Sequence, residues 1–210
     1  GAYFFTANDA IPVTIGSRPP IHQSSITASH YALDSHAVRK REEGRVHLDG
    51  FLSYPSAVYT VPYGVMVPKE VGNLLLPVPV SGSHIGFSTL RMEPCWMAMG
   101  QAAGIASALS IDGKVKVQNI DLSRLQDKLV DQKATLMYFK DVDYTSPHFR
   151  MVQYLGLRGY LPEWTARLQE PVDMATLTAW KKLSGKDLPG IEAGKTTRLV
   201  ALEMIYRKIK

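Results

Sequence analysis

The residues with the clearest chemical potential lie between Ser81 and Pro94. A Ser81-Gly82-Ser83-His84 stretch follows an apolar run, and Arg91-Met92-Glu93-Pro94 opens a long helical pattern. The first turn of a helix offers unpaired N–H groups and a positive dipole end, which favour anionic or electron-rich ligand atoms. In α/β folds, a strand end and the next helix start also bracket a crevice. The segment therefore predicts a cofactor crevice, and a strand–turn–helix packing unit without a ligand is the alternative.

Two histidines are candidate catalytic residues. His84 ends the serine–glycine turn, and His36 stands two residues after Asp34, whose carboxylate could orient the imidazole. Histidine suits proton transfer because its ordinary pKa lies near neutrality. The alternatives are that His84 only bonds the backbone of its turn and that Asp34 and His36 do not touch. Arg91 and Glu93 either face the cofactor or form a local ion pair.

Composition narrows the remaining classes of function. The net charge is +5, from 24 Lys and Arg against 19 Asp and Glu, and no nucleic-acid-binding module is recognisable. Cys95 is the only cysteine, which excludes intrachain disulfides and cysteine-rich zinc or iron–sulfur sites. The other histidines show no metal-ligand spacing; they are His22, His30, His47 and His148. No apolar run approaches the roughly 20 residues of a membrane span.

Secondary-structure elements must hold the residues of the crevice in place, and the first of these elements are predicted strands. The extended segments are residues 3–6, 24–33, 58–61, 64–67 and 73–78. The last is a continuous apolar run between Gly72 and Pro79, which predicts a strand buried on both faces. Residues 39–44 are predicted to form a charged turn.

A long helix is predicted over residues 91 to 111, with Ser88 or Thr89 as its N-cap and Glu93 and Pro94 in its first turn. It carries a stripe of small residues: Gly100, Ala103, Gly104 and Ser107. Glycine inside a helix costs about 1 kcal/mol, so this stripe predicts close approach by another backbone or by a flat ligand.

Residues 1–135 and 136–210 are predicted to form two domains. The first is of the α/β class, a mixed α and β fragment that ends in an amphipathic helix at residues 121–133. The second is a small all-helical domain with helices at 147–159, 174–183 and from Thr196 or Thr197 onward, and with Trp164 and Trp180 in its core.

The first domain resembles the FAD-dependent oxidoreductase family, whose members include xanthan lyase-like and heterodisulfide reductase-like proteins. The resemblance covers residues 2 to 133. It rests on Asn73-Leu74-Leu75, Pro77-Val78, Ser81-Gly82-Ser83-His84, Arg91-Met92-Glu93-Pro94 and Gly100-Gln101-Ala102-Ala103-Gly104, with YALDSH at 31–36, YTVPY at 59–63 and VPKE at 67–70 upstream.

This resemblance implies FAD as cofactor and transfer of a hydride or electrons to or from a small organic or carbohydrate substrate. It assigns to the flavin site Ser81, Gly82, Ser83, His84, Arg91, Met92, Glu93, Pro94, Gly100, Gln101 and Gly104. The family's GxGxxG fingerprint, which seats the FAD pyrophosphate, does not occur in the sequence. The chain is therefore expected to be a C-terminal portion that is inactive alone and needs an N-terminal FAD-binding half as its partner.

The helical tail resembles a surface-layer-homology repeat at Phe139-Lys140-Asp141-Val142 and Arg158-Gly159-Tyr160. That resemblance implies a rival function, a non-catalytic module that docks polysaccharide or a partner protein, and packing alone is the third alternative. It suggests an extracytoplasmic location, although the sequence shows no signal peptide and leaves the compartment open.

Overall fold

The computed structural model describes residues 1–36, 44, 51–185 and 187–210. Of the predicted charged turn, residues 39–43 lie outside this described part, as does His47. The chain divides into two compact units, Gly1–Leu136 and Met137–Lys210. No helix in the described ranges is long and apolar enough to cross a membrane.

Unit 1 combines two short antiparallel sheets with helices, so the chain is of mixed α and β class. Strand β1 (Ser25–Ser29) pairs with β4 (Tyr59–Pro62), and β2 (Leu33–Ser35) pairs with β3 (Leu52–Tyr54). The helices are α1 (Ala7–Ala10), α2 (His84–Leu90), α3 (Glu93–Gly113) and α4 (Leu122–Asp131), with 3₁₀ turns at Tyr63–Met66 and Val117–Asn119. The parallel crossovers of an α/β sheet do not occur among the described strands.

Two of the predicted strands are wrong, and residues 3–6 contribute only an isolated bridge between Phe5 and Gly82. Residues 64–67 fall largely in the 3₁₀ turn Tyr63–Met66. Residues 73–78 form no strand, and Leu74 and Val78 are 40% and 44% exposed rather than buried. Pro77 and Pro79 interrupt the run, and because proline has no N–H, neither residue can donate to a neighbouring strand. Apolar composition was therefore a poor guide to pairing in this stretch.

The helix predicted over residues 91 to 111 is present as α3, Glu93–Gly113, but its predicted N-cap residues belong to the separate helix α2. Ser88 and Thr89 are not caps; both are buried within α2, which ends at Leu90. The chain turns at Arg91, and Met92 adopts an extended conformation as the N-cap of α3. Glu93 and Pro94 do occupy the first turn of α3, as predicted.

Helix α3 buries one face and exposes the other. The buried residues are Cys95, Met99, Ala102, Ala106 and Leu109, on a helix that packs against β1 and α4. Gly100 and Gly104 lie on the exposed side, where a Cβ would have no atom within 4 Å. Within the described part of unit 1, the predicted close approach at these glycines is therefore absent.

A close approach in unit 1 does occur at Gly86. A Cβ there would lie 2.8 Å from the carbonyl carbon of Phe5 and 2.9 Å from the Cα of Thr6. The segment before α1 runs beneath α2, with Phe5 N–H donating to Ser81 O at 3.1 Å and Ser83 N–H donating to Phe5 O at 2.8 Å. Gly86 thus allows α2 to lie directly on this backbone.

Unit 2 contains α5 (Phe149–Leu157), α6 (Met174–Ser184) and α7 (Arg198–Ile209), together with an isolated bridge between Pro171 and Thr197. Asp173 caps α6 by accepting from Thr176 N, and Thr197 caps α7. Trp180 is buried, as predicted for a core residue, and its indole N–H donates to Tyr160 O at 2.8 Å. Trp164 is only half-buried.

Candidate functional site

Hydrogen bonds along helix α2, and from Arg91 just after it, join it to the segment that contains β2. Its N-cap, Ser83, accepts a hydrogen bond from Gly86 N. Positions 84, 88 and 91 follow the i, i+4, i+7 spacing that places side chains on one side of a helix. His84 Nε2 lies 2.8 Å from Ser35 Oγ, Asp34 N–H donates to Ser88 Oγ at 3.1 Å, and Arg91 Nη2 donates to Asp34 Oδ2 at 2.9 Å.

Asp34 is the centre of a polar cluster at this junction. Its Oδ2 atom lies 2.8 Å from His36 Nε2, 2.9 Å from Arg91 Nη2 and 3.4 Å from the hydroxyl of Tyr31. The hydrogen bond from His36 is the main cause that lowers the pKa of Asp34, and the positive charge of Arg91 acts in the same direction. Asp34 therefore stays ionised and can hold both partners. We call these four residues, with Ser35 and His84, the Asp34 cluster.

A cleft of about 290 Å³ opens where α3 begins. Its lining residues are Ala28, Ser29, His30, Tyr31, Met92, Pro94 and Cys95. The N-cap Met92 makes no side-chain hydrogen bond to the first turn of α3. Pro94 has no N–H, and Cys95 N–H donates to Met92 O at 3.0 Å, so the Glu93 N–H and the positive dipole end of this helix are left for solvent or a ligand. Burial raises the pKa of Cys95, so its thiol remains protonated near neutrality.

Tyr31 connects the cleft to the Asp34 cluster. Its ring lines the cleft, its hydroxyl faces Asp34, and the guanidinium carbon of Arg91 lies 5.7 Å from the ring centroid. The backbone carbonyl of Tyr31 accepts from Ser56 Oγ at 2.6 Å and also from the Thr89 hydroxyl. These two bonds fix the backbone of Tyr31, whose side chain lies between the cleft and Asp34.

The structure brings part of the predicted site together. His36, His84 and Arg91 meet in the Asp34 cluster, and Met92 and Pro94 line the cleft. The contact between Asp34 and His36 that the sequence suggested is present. The catalytic roles of His36 and His84 stay predictions.

The other predicted site residues have different surroundings. Ser81 and Gly82 lie beside the backbone of Phe5, and Glu93 is exposed. Gln101 Nε2 donates to Gln132 Oε1 of α4 at 2.9 Å. Gly100 and Gly104 lie on the open face of α3, about one and a half and two and a half turns beyond Cys95, the last cleft residue on this helix.

Tyr31 and Ser35 were not singled out as site residues by the sequence reasoning. Both belong to the YALDSH segment at 31–36, which is the signal that could have identified them. No group of three or more His, Cys, Asp or Glu side chains suited to a metal ion occurs within the part of the chain that the structure describes.

The fold is that of a mixed α and β protein, with a cleft at the start of a long helix and an adjacent cluster of ionisable side chains. The family model described as FAD dependent oxidoreductase matches residues 1–129. The chain belongs to this family. The match contains every residue of the cleft and of the Asp34 cluster. No curated protein and no solved structure shows significant similarity to the chain.

Proposed function

We propose that unit 1 forms one wall of the flavin site of an FAD-dependent oxidoreductase. The observation that carries the proposal is the cleft at the uncapped start of α3, which lies within the family match and adjoins the Asp34 cluster through Tyr31. A cleft with apolar walls and a few convergent polar groups is the usual form of a cofactor site.

The residues of the cleft fit the edge of a flavin ring. The ring is flat and carries electron-rich oxygen and nitrogen atoms, and the cleft offers the side of Tyr31, the apolar Met92 and Pro94, and the helix N-terminus. The chain has no GxGxxG sequence for the pyrophosphate. We propose that a segment outside this sequence holds that group, and that Gly100 and Gly104 leave room for its close packing on α3.

Bound FAD would accept or supply the hydride or electrons of the reaction. The chain's own residues would manage the proton and the orientation of the substrate. His36 is exposed and held by Asp34, so its imidazole can take a proton from a substrate hydroxyl or amine. His84, oriented by Ser35 Oγ, would line the flavin side.

The test is flavin retention in the longer protein that joins this chain to a dinucleotide-binding segment. We expect that protein to purify with the visible absorbance of bound FAD and that Gly100→Leu lowers the flavin content more than Leu129→Ala does. Gly100 lies on the open face, whereas Leu129 is fully buried in the core. Equal flavin content in the two variants, or a longer protein without flavin, would contradict the proposal.

Unit 2 supports a second proposal, a glycan-binding role. Tyr154 and Tyr206 lie edge to face at 5.3 Å, with Arg158 3.4 Å above the first ring and Lys210 near both. Aromatic and basic side chains in one patch are suited to an acidic polysaccharide, as the surface-layer-homology resemblance implies. A glycan-binding screen of the chain and of its Tyr206→Ala variant tests this role. Failure of both proteins to bind any glycan would argue against it.

A further inference from the structure

The Asp34 cluster presents more hydrogen-bond donors than it uses internally. Among the described residues, the contacts of Arg91 are one hydrogen bond from Nη2 to Asp34, a 3.5 Å approach of the same atom to His36, and the ring of Tyr31. The guanidinium group has five N–H donors, and its side chain is 32% exposed. Its remaining donors are therefore available to another molecule.

The two histidines extend this donor surface. His36 is 72% exposed and contacts Asp34 and Arg91 through Nε2, and His84 is exposed and contacts Ser35 through Nε2. In each imidazole the Nδ1 atom has no partner in the described part of the chain. The side chains of the cluster thus include one guanidinium and two imidazoles but a single carboxylate, Asp34.

We propose that Arg91, with His36 beside it and His84 in the same cluster, binds a carboxylate of the substrate, so that the substrate class is small organic acids. A guanidinium binds a carboxylate through two parallel N–H···O bonds, and charge-assisted bonds of this kind are about twice as strong as neutral ones. Asp34 competes for the same cation and fixes its position. The proposal rests on the proposed function, because it takes the cleft beside the cluster to be the flavin side of the site.

The test uses the 210-residue chain without flavin, so its outcome is independent of whether FAD binds. Benzoate is titrated while the imidazole NMR signals of His36 and His84 are followed, and benzamide serves as the neutral control of the same shape. We expect saturable benzoate binding that is at least about tenfold tighter than that of benzamide, since one charge-assisted pair contributes about this factor.

Two variants separate anion binding from a purely structural role of the cluster. Arg91→Gln should weaken benzoate binding by about tenfold or more, whereas Asp34→Asn removes the competing carboxylate and should tighten it. Arg124→Gln, on the exposed face of α4, is the matched control and should bind as the wild type does. Circular dichroism verifies that each variant is folded. The proposal would be overturned if benzoate binding did not saturate or if benzoate and benzamide bound equally well. It would also be overturned if Arg91→Gln bound benzoate as the wild type does, or if Asp34→Asn bound it more weakly.

Discussion

Replacing Gly86 by alanine should destabilise unit 1, although alanine is the better helix former. The new Cβ would meet the backbone of Phe5 and Thr6, including a carbonyl carbon at 2.8 Å and a Cα at 2.9 Å. Backbone atoms cannot rotate away as the end of a flexible side chain can. The segment before α1 is also hydrogen-bonded to Ser81 and Ser83, so relief requires movement of α2 as a whole. Overpacking of this kind costs about 1–3 kcal/mol.

The variant Gly100→Ala, on the neighbouring helix α3, should change the free energy of unfolding in the opposite direction. Position 100 is inside α3 with no atom within 4 Å of a new Cβ. Alanine there should therefore stabilise the chain by about 0.5–1 kcal/mol, because it restricts the unfolded state and suits a helix. The two variants should differ by about 2 kcal/mol in the free energy of unfolding. For a chain of this size that corresponds to a difference of about 4–8 °C in melting temperature.

Thermal melting followed by circular dichroism measures the difference between the two variants. Hydrogen–deuterium exchange of peptides from α2 and α3 assigns it to unit 1. Gly86→Ala with wild-type stability would refute the close crossing of α2 over Phe5. A destabilised Gly100→Ala variant would show instead that another surface covers the open face of α3 in solution.

Three further expectations concern activity, the tail and pH. The purified 210-residue chain should show no flavin-dependent turnover, because its sequence contains no GxGxxG motif to seat the FAD pyrophosphate; measurable turnover with added FAD would contradict this. Residues 137–210 expressed alone should give a helical circular dichroism spectrum and a cooperative melt, and a spectrum without helical signal would show that unit 2 depends on unit 1. The carboxyl pKa of Asp34, followed by NMR, should lie below its ordinary value and rise in His36→Ala, since the hydrogen bond from His36 is the main cause of its depression. A depressed folded-state pKa contributes stability above the unfolded pKa of about 3.9, and that contribution is lost as the pH falls through the folded value; an unchanged Asp34 pKa in His36→Ala would contradict the assignment.

The elements predicted correctly from the sequence are those that local interactions specify. Asp173 and Thr197 accept hydrogen bonds from backbone N–H groups three residues on, and Gly159 and Gly185 adopt the positive φ angles of helix ends. The same reasoning applies to α4, whose amphipathic pattern and Asp121 cap need no distant partner. The Asp34–His36 contact also spans only two residues.

Tertiary structure decided the features whose partners are far apart in the chain. The contacts of His84 with Ser35 and of Arg91 with Asp34 join residues separated by 49 and 57 positions, and no spacing rule predicts such pairs. The crossing of Phe5 beneath α2 makes Gly86, and not Gly100, a position where close approach requires glycine. The sequence by itself determined where helices can begin and end and which residue types can do chemistry, because these depend on local hydrogen bonds and side-chain pKa values. Only the packing of α2 on β2 brought those residues into one cluster, because burial and long-range hydrogen bonds choose among the arrangements that local signals allow.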